Sequence, residues 1–231
     1  MRPVQPVFVH GWGFGPDFWA PVVDALGWTD AVILDLGFVE PSSPASPALA
    51  AQQVRAMQER GGAMLGVGHS LGFLWLAQHM RLSAMDRLVG INAFAAFAAR
   101  EDFASGVPTR VLQRMLRGRA GTPEQGLADF RGRCGAQASD CRPGGPNLRR
   151  GLDLLLGGDA RPMLAGRAGQ YRILAARQDP IVSSAMTEDS FVEEVPLQWV
   201  DGGHLLPQTN VEACVAFLRA TRRRMMEQDA R

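Results

Sequence analysis

The sequence predicts an α/β fold: a mostly parallel sheet covered by helices on both faces and interrupted by a helical insertion. Short apolar runs alternate with segments whose apolar residues recur at helical spacing, the pattern of strands joined by crossover helices. The alternation breaks off over residues 95–165 and then resumes. With 231 residues, 46% hydrophobic and 20% charged, the chain suits one large core rather than two separate folds. The expected division is a core of residues 1–94 and 166–231 with a helical lid insertion over 95–165.

Each element has its own signal. Residues 7–9 form a buried strand that runs into the tight loop His10-Gly11-Trp12-Gly13. Phe18, Val22 and Leu26 share one helical face within 17–26, and 31–36 is a second apolar strand. Residues 40–47 hold three prolines and three serines and read as a loop. An Ala/Gln-rich helix over 48–60 stops at Gly61-Gly62. A strand over 63–68, a helix over 71–82 and a strand over 87–92 follow. After the insertion come a strand (171–176), a helix (183–191), a strand (195–200) and a helix (210–226) with Val211, Val215, Leu218 and Met225 on one face.

Composition removes whole classes of function. All 24 basic residues are arginine. Without lysine there is no P-loop lysine, no Schiff-base chemistry and no Ser-Lys dyad. A net charge of +1 gives no basic field for nucleic acid, and no run of about 20 apolar residues predicts a membrane span. Cys134, Cys141 and Cys214 form no disulfide framework, and no secretory signal is visible, so a cytoplasmic protein is expected. His10, His69, His79 and His204 form no zinc-spaced cluster, so neither metal nor cofactor is expected.

The chemistry is concentrated in Gly68-His69-Ser70-Leu71-Gly72, a G-x-S-x-G set between an apolar strand and an apolar helix. Serine on such a turn sits in a strained backbone conformation, and flanking glycines keep Cβ atoms out of the neighbouring elements. The helix start aims N–H groups at incoming negative charge. A dinucleotide-binding turn on Gly66, Gly68 and Gly72 is the competing reading. It fails because the turn does not follow the first strand and residues 87–92 carry no acid.

A nucleophilic serine needs a base and an orienting carboxylate. His204, in Asp201-Gly202-Gly203-His204 after the last strand, is the candidate base. Asp179 follows the strand over 171–176, where a carboxylate faces the ligand crevice, and is preferred as the acid to Asp201. The backbone N–H groups of Leu71 and Trp12 are the candidate oxyanion donors. His10 is read as organising that loop.

Together His10–Gly13, Gly68–Gly72, Asp179 and Gly203-His204 resemble the α/β-hydrolase superfamily, whose chain order of serine, acid and histidine is the same. Within it the His-Gly-Trp-Gly start resembles the biotin-pathway esterases that demethylate pimeloyl-[acyl-carrier protein] methyl ester. That resemblance implies Trp12 and Leu71 as the oxyanion hole, and an ester substrate carried on acyl carrier protein as partner. Three departures stand out. The early strands of the superfamily are shortened, Asp35-Leu36-Gly37-Phe38-Val39-Glu40 replaces its usual Asp-x-Pro-Gly-x-Gly, and Phe73 stands where a small residue is common.

The insertion is basic. From residue 100 to 161 there are 11 Arg against 7 acids, a net of +4, while the remainder has a net of −3. Arg114, Arg117, Arg119, Arg131, Arg133, Arg149 and Arg150 are candidates to meet an acidic carrier, against the plainer reading of a solvated lid. Phe73, Phe94 and Phe97, with Leu112, Met115 and Leu116, are candidates for an acyl pocket, against the plainer reading of core packing. The alternatives kept open are a small-molecule carboxylesterase, thioesterase or C–C hydrolase of the same fold, and a non-catalytic binding protein.

Overall fold

The computed structural model describes residues 4–40, 44–116, 122–137, 142–191 and 195–229. Its centre is a six-stranded sheet of order β2-β1-β3-β4-β5-β6, parallel throughout. The strands are β1 (Val4–Val9), β2 (Val32–Leu34), β3 (Ala63–His69), β4 (Arg87–Ile91), β5 (Tyr171–Ala176) and β6 (Leu197–Val200). The connections from β1 and β3 run to opposite sides, so the topological switch point of the sheet, where ligands bind in folds of this kind, lies at the carboxyl ends of these two neighbours.

Side-chain alternation divides the core. Val7 and Val9 point to one face of the sheet and Phe8 to the other. The Val7 face is covered by α2 (Pro47–Glu59), α3 (Leu71–His79) and α8 (Ser184–Ser190). The Phe8 face is covered by a 3-10 turn at Pro16–Trp19, α1 (Ala20–Leu26), α9 (Leu206–Thr209) and α10 (Val211–Asp229). Burial on both faces explains why the strands read as apolar runs rather than alternating ones.

Local chemistry sets several boundaries. Ser46 caps α2 by accepting from Leu49 N at 3.2 Å, with Pro47 in the first turn. The third helix ends three residues before the expected position. Met80 turns extended and buries its side chain, with the sulfur 3.0 Å from where a Cβ on Gly66 would lie. The second strand is shorter than the expected 31–36 because Asp35 leaves the ladder to accept from Gly37 N at 2.7 Å. The short helix α9 escaped the sequence reading.

Between β4 and β5 no strand occurs among the described residues. This segment carries α4 (Thr109–Leu116), α5 (Pro123–Arg133), α6 (Pro146–Gly157) and α7 (Arg161–Leu164). It is tied down by Gly144 N donating to Phe38 O and Glu40 N donating to Arg142 O, each 2.8 Å. Cys134 and Cys214 are buried free thiols, Cys141 lies outside the described residues, and no described helix is long and apolar enough to cross a membrane.

Candidate active site

Ser70 sits where β3 hands the chain to α3. All seven residues of β3 are buried, as are Leu71–Ala77 of α3, so packing fixes both sides of the turn. Ser70 adopts φ 54° and ψ −124°, a strained conformation costing about 1–3 kcal/mol. Its N–H donates to Ile91 O at 3.1 Å, and its hydroxyl makes no capping bond to the helix. The glycines are required sterically. A Cβ on Gly68 would collide with Phe73 N, and one on Gly72 with Val9 O. One on Gly11 would lie 2.8 Å from His69 Nδ1 and 3.2 Å from Ser70 Cβ, which places the loop after β1 directly against the turn.

His204 follows β6 and Asp179 follows β5, so both reach the same end of the sheet as Ser70. His204 Nδ1 donates to Asp179 Oδ2 at 2.8 Å, with both side chains 1% exposed. The other carboxylate oxygen accepts from Ile181 N at 2.8 Å and Val182 N at 3.0 Å, which fixes the acid's orientation. Asp201, the alternative acid, is exposed and turned towards Gln178. No hydrogen bond joins Ser70 Oγ to His204; such contacts are commonly long in resting sites and tighten on substrate.

His69, between Gly68 and Ser70, was not singled out from the sequence. It is fully buried, and its Nε2–H donates to His204 O at 2.8 Å, with ring centroids 4.7 Å apart. Its Nδ1 has no partner. Burial, then the neighbouring His204, hold its pKa well below the ordinary histidine range, so it is neutral. Cys134, at the end of α5, has its thiol pushed up to about 12 by burial and then by the charge of Asp179.

The loop after β1 is organised by His10. Its Nδ1 donates to Gly11 O at 3.0 Å, and its Nε2 accepts from Leu36 N at 3.1 Å. Trp12 is 3% exposed. Its indole N–H donates to Leu148 O of α6 at 2.8 Å and its ring meets Phe130 of α5 edge-on at 4.7 Å. The Trp12 backbone N–H and the Leu71 N–H at the start of α3 make no loop or turn hydrogen bond among the described residues.

A cavity of about 540 Å³ opens on the far side of Trp12, between α4, α5 and α6. Met115, Leu116, Leu127, Leu148 and Leu152 form its apolar wall, with Arg149 and Glu124 as charged groups. Ser70 and His204 do not line it; Trp12 is the shared residue.

The structure places the other expected residues as follows. Phe73, Phe94 and Phe97 are buried in the core, and none of them lines the cavity beside Trp12. Phe73 packs against Phe191 at 5.4 Å, and Phe94 against Phe97 at 4.7 Å, as the plainer reading of core packing expects. Arg131 is turned inward: it donates to Gly13 O at 2.9 Å and stands 4.8 Å over the Phe14 ring. That ties one edge of the half-buried guanidinium to the site loop. Arg114, Arg133, Arg149 and Arg150 are exposed, with Arg149 donating to Leu116 O and Arg150 to Asn147 Oδ1. Arg117 and Arg119 lie outside the described residues.

Comparison with known proteins agrees with the fold. An esterase from Exiguobacterium antarcticum superposes with a TM-score of 0.73 at 14% identity, covering 96% of this chain and 92% of that one. A bromoperoxidase from Bacillus anthracis gives 0.72 at 16% identity, covering 95% and 92%. BioG from Haemophilus influenzae gives 0.56 at 16% identity, covering 88% and 90%. In sequence, 117 residues are 30% identical to the biotin biosynthesis bifunctional protein BioHC of Saccharophagus degradans. That match covers 46% of this chain but only 21% of the relative, so the chain spans about a fifth of the relative's length. The model of the alpha/beta hydrolase family matches residues 7–217, nearly the whole of the sheet and its helices, and the chain belongs to that family.

Proposed function

We propose that the protein is a serine carboxylesterase with Ser70 as nucleophile, His204 as base and Asp179 as orienting acid. The observation that carries this reading is the buried 2.8 Å contact between His204 and Asp179, beside a strained serine whose hydroxyl is not used as a helix cap. His204 Nε2 takes the Ser70 proton as Oγ attacks the ester carbonyl. Asp179 fixes the tautomer and stabilises the imidazolium. The N–H groups of Trp12 and Leu71 receive the oxyanion, and His204 returns the proton to the departing alcohol. Water activated by His204 then cleaves the acyl-serine and frees the acid and Ser70.

The substrate we favour is a methyl ester of a dicarboxyl chain on acyl carrier protein, as in pimeloyl-[acyl-carrier protein] methyl ester. Three features support it, the first two being the similarity to a protein named for biotin biosynthesis and the exposed Arg114, Arg133, Arg149 and Arg150, which suit an acidic carrier. The apolar cavity behind Trp12 suits an acyl chain. A small-molecule carboxylesterase is the second reading, favoured by the inward turn of Arg131.

The test is methanol release from the carrier-bound methyl ester, with Ser70→Ala as blank. Release by the parent alone, weakened by added salt while nitrophenyl ester turnover is spared, supports the full reading. Cleavage of nitrophenyl esters without methanol release removes the carrier-bound substrate and keeps the hydrolase.

A further inference from the structure

Asn92 immediately follows β4 and is 1% exposed. Its φ is 47°, and it and Ser70 are the two non-glycine residues with positive φ among those described. Asparagine tolerates that region better than most side chains, but the conformation still has a cost. The residue therefore sits there for its amide. Asn92 Oδ1 accepts from Ala176 N at 2.7 Å. Asn92 Nδ2 donates to Gly203 O and to His204 O, each at 2.9 Å. Its backbone N–H donates to Leu174 O at 2.9 Å.

These partners are the two arms of the candidate triad. Ala176 closes β5, three residues before Asp179, and Gly203-His204 is the loop that carries the base. One side chain therefore spans the strand that launches the acid and the backbone that bears the base. His69 adds a second donor on the same His204 carbonyl, at 2.8 Å. A carbonyl held by two buried donors cannot rotate its peptide plane without leaving one of them unpaired, at about 1–3 kcal/mol. The direct Asp179–His204 bond aligns the ring, while Asn92 and His69 hold the chain beneath it.

We infer that Asn92, with His69 as the second donor, is a positioning residue that holds the His204 backbone so that its ring stays between Asp179 and Ser70. This rests on the triad reading given above. The two variants that test it are Asn92→Asp and Asn92→Gly. The aspartate keeps the shape, the tolerance for positive φ and the acceptor for Ala176 N, but sets an oxygen against two carbonyls. The glycine relaxes φ and deletes the amide without adding charge. Both should keep KM for a nitrophenyl ester within about twofold and lower kcat by about 10- to 100-fold, the scale of a misplaced catalytic group. Both should also shift or broaden the far-downfield proton resonance of His204 Nδ1–H. A residue that merely stabilises the fold would lower the thermal midpoint and leave kcat and that resonance at the parent's values; this result overturns the inference. Asn92→Gly decides the matter where the aspartate does not fold. A parent that no phosphonate labels would remove the triad reading itself, whereas a labelled parent with unaltered Asn92 variants would remove only the role of Asn92.

Discussion

Ser70 holds a backbone conformation that most residues avoid, and its neighbours explain how. Its strain is small beside the burial of the strand and helix around it, where each large apolar side chain contributes about 1.5–3 kcal/mol. His69 belongs to the same turn and is a buried, neutral histidine. Its pKa in the folded state lies below that in the unfolded chain. Below about pH 6.5 the unfolded chain therefore gains a proton here that the folded chain does not, and stability falls as pH falls, by about 1.4 kcal/mol per pH unit for one group. His69→Gln keeps a donor for His204 O and cannot titrate. Urea unfolding between about pH 6.5 and 5 should show a flatter pH dependence for the variant than for the parent. Equal slopes would mean that His69 is not held neutral. The strained turn at Ser70 was readable from the sequence because glycine spacing, strand and helix all constrain the same five residues. The jobs of His69 and Asn92 were not, since they depend on hydrogen bonds to a loop more than a hundred residues away.

At the scale of elements, the loop after β1 is wedged between the sheet and the helices that follow β4. Trp12 is the wedge, held by Leu148 of α6 and Phe130 of α5. Gly151 of α6 leaves the room. A Cβ there would collide with Trp12 Cδ1 and lie 2.9 Å from Phe38 Cε1. Gly151→Ala should therefore displace Trp12 and its N–H; if that N–H is the proposed oxyanion donor, kcat for a nitrophenyl ester falls about tenfold or more, because such a donor must sit where charge develops. The thermal midpoint should fall by no more than the few degrees expected of local overpacking. An unchanged kcat would mean that the packing of the indole does not set the position of the loop. The positions of strands and helices along the chain were largely legible, because strands buried on both faces leave clear apolar runs. Helix ends were less so: Met80 leaves α3 early for a packing site under Gly66 that no local signal reveals. The direction of Arg131 was equally hidden, since a charge in a sequence does not name the carbonyl it will meet.

Across the whole molecule, one parallel sheet delivers every candidate group to the same end. The loops after β1, β3, β5 and β6 carry Trp12, Ser70, Asp179 and His204. The strand–helix alternation and the chain order of serine, acid and histidine anticipated this convergence, because parallel strands send all their carboxyl ends one way. Which substrate enters was far less legible, since it depends on how α4, α5 and α6 pack over Trp12. The central claim is that this convergence makes Ser70 a nucleophile. Its most direct test is mass spectrometry of the protein after exposure to a serine-directed phosphonate, with peptide mapping. One adduct is expected, carried by Ser70 and lost in Ser70→Ala. An unlabelled parent, or a Ser70→Ala protein that still takes the label, would contradict it.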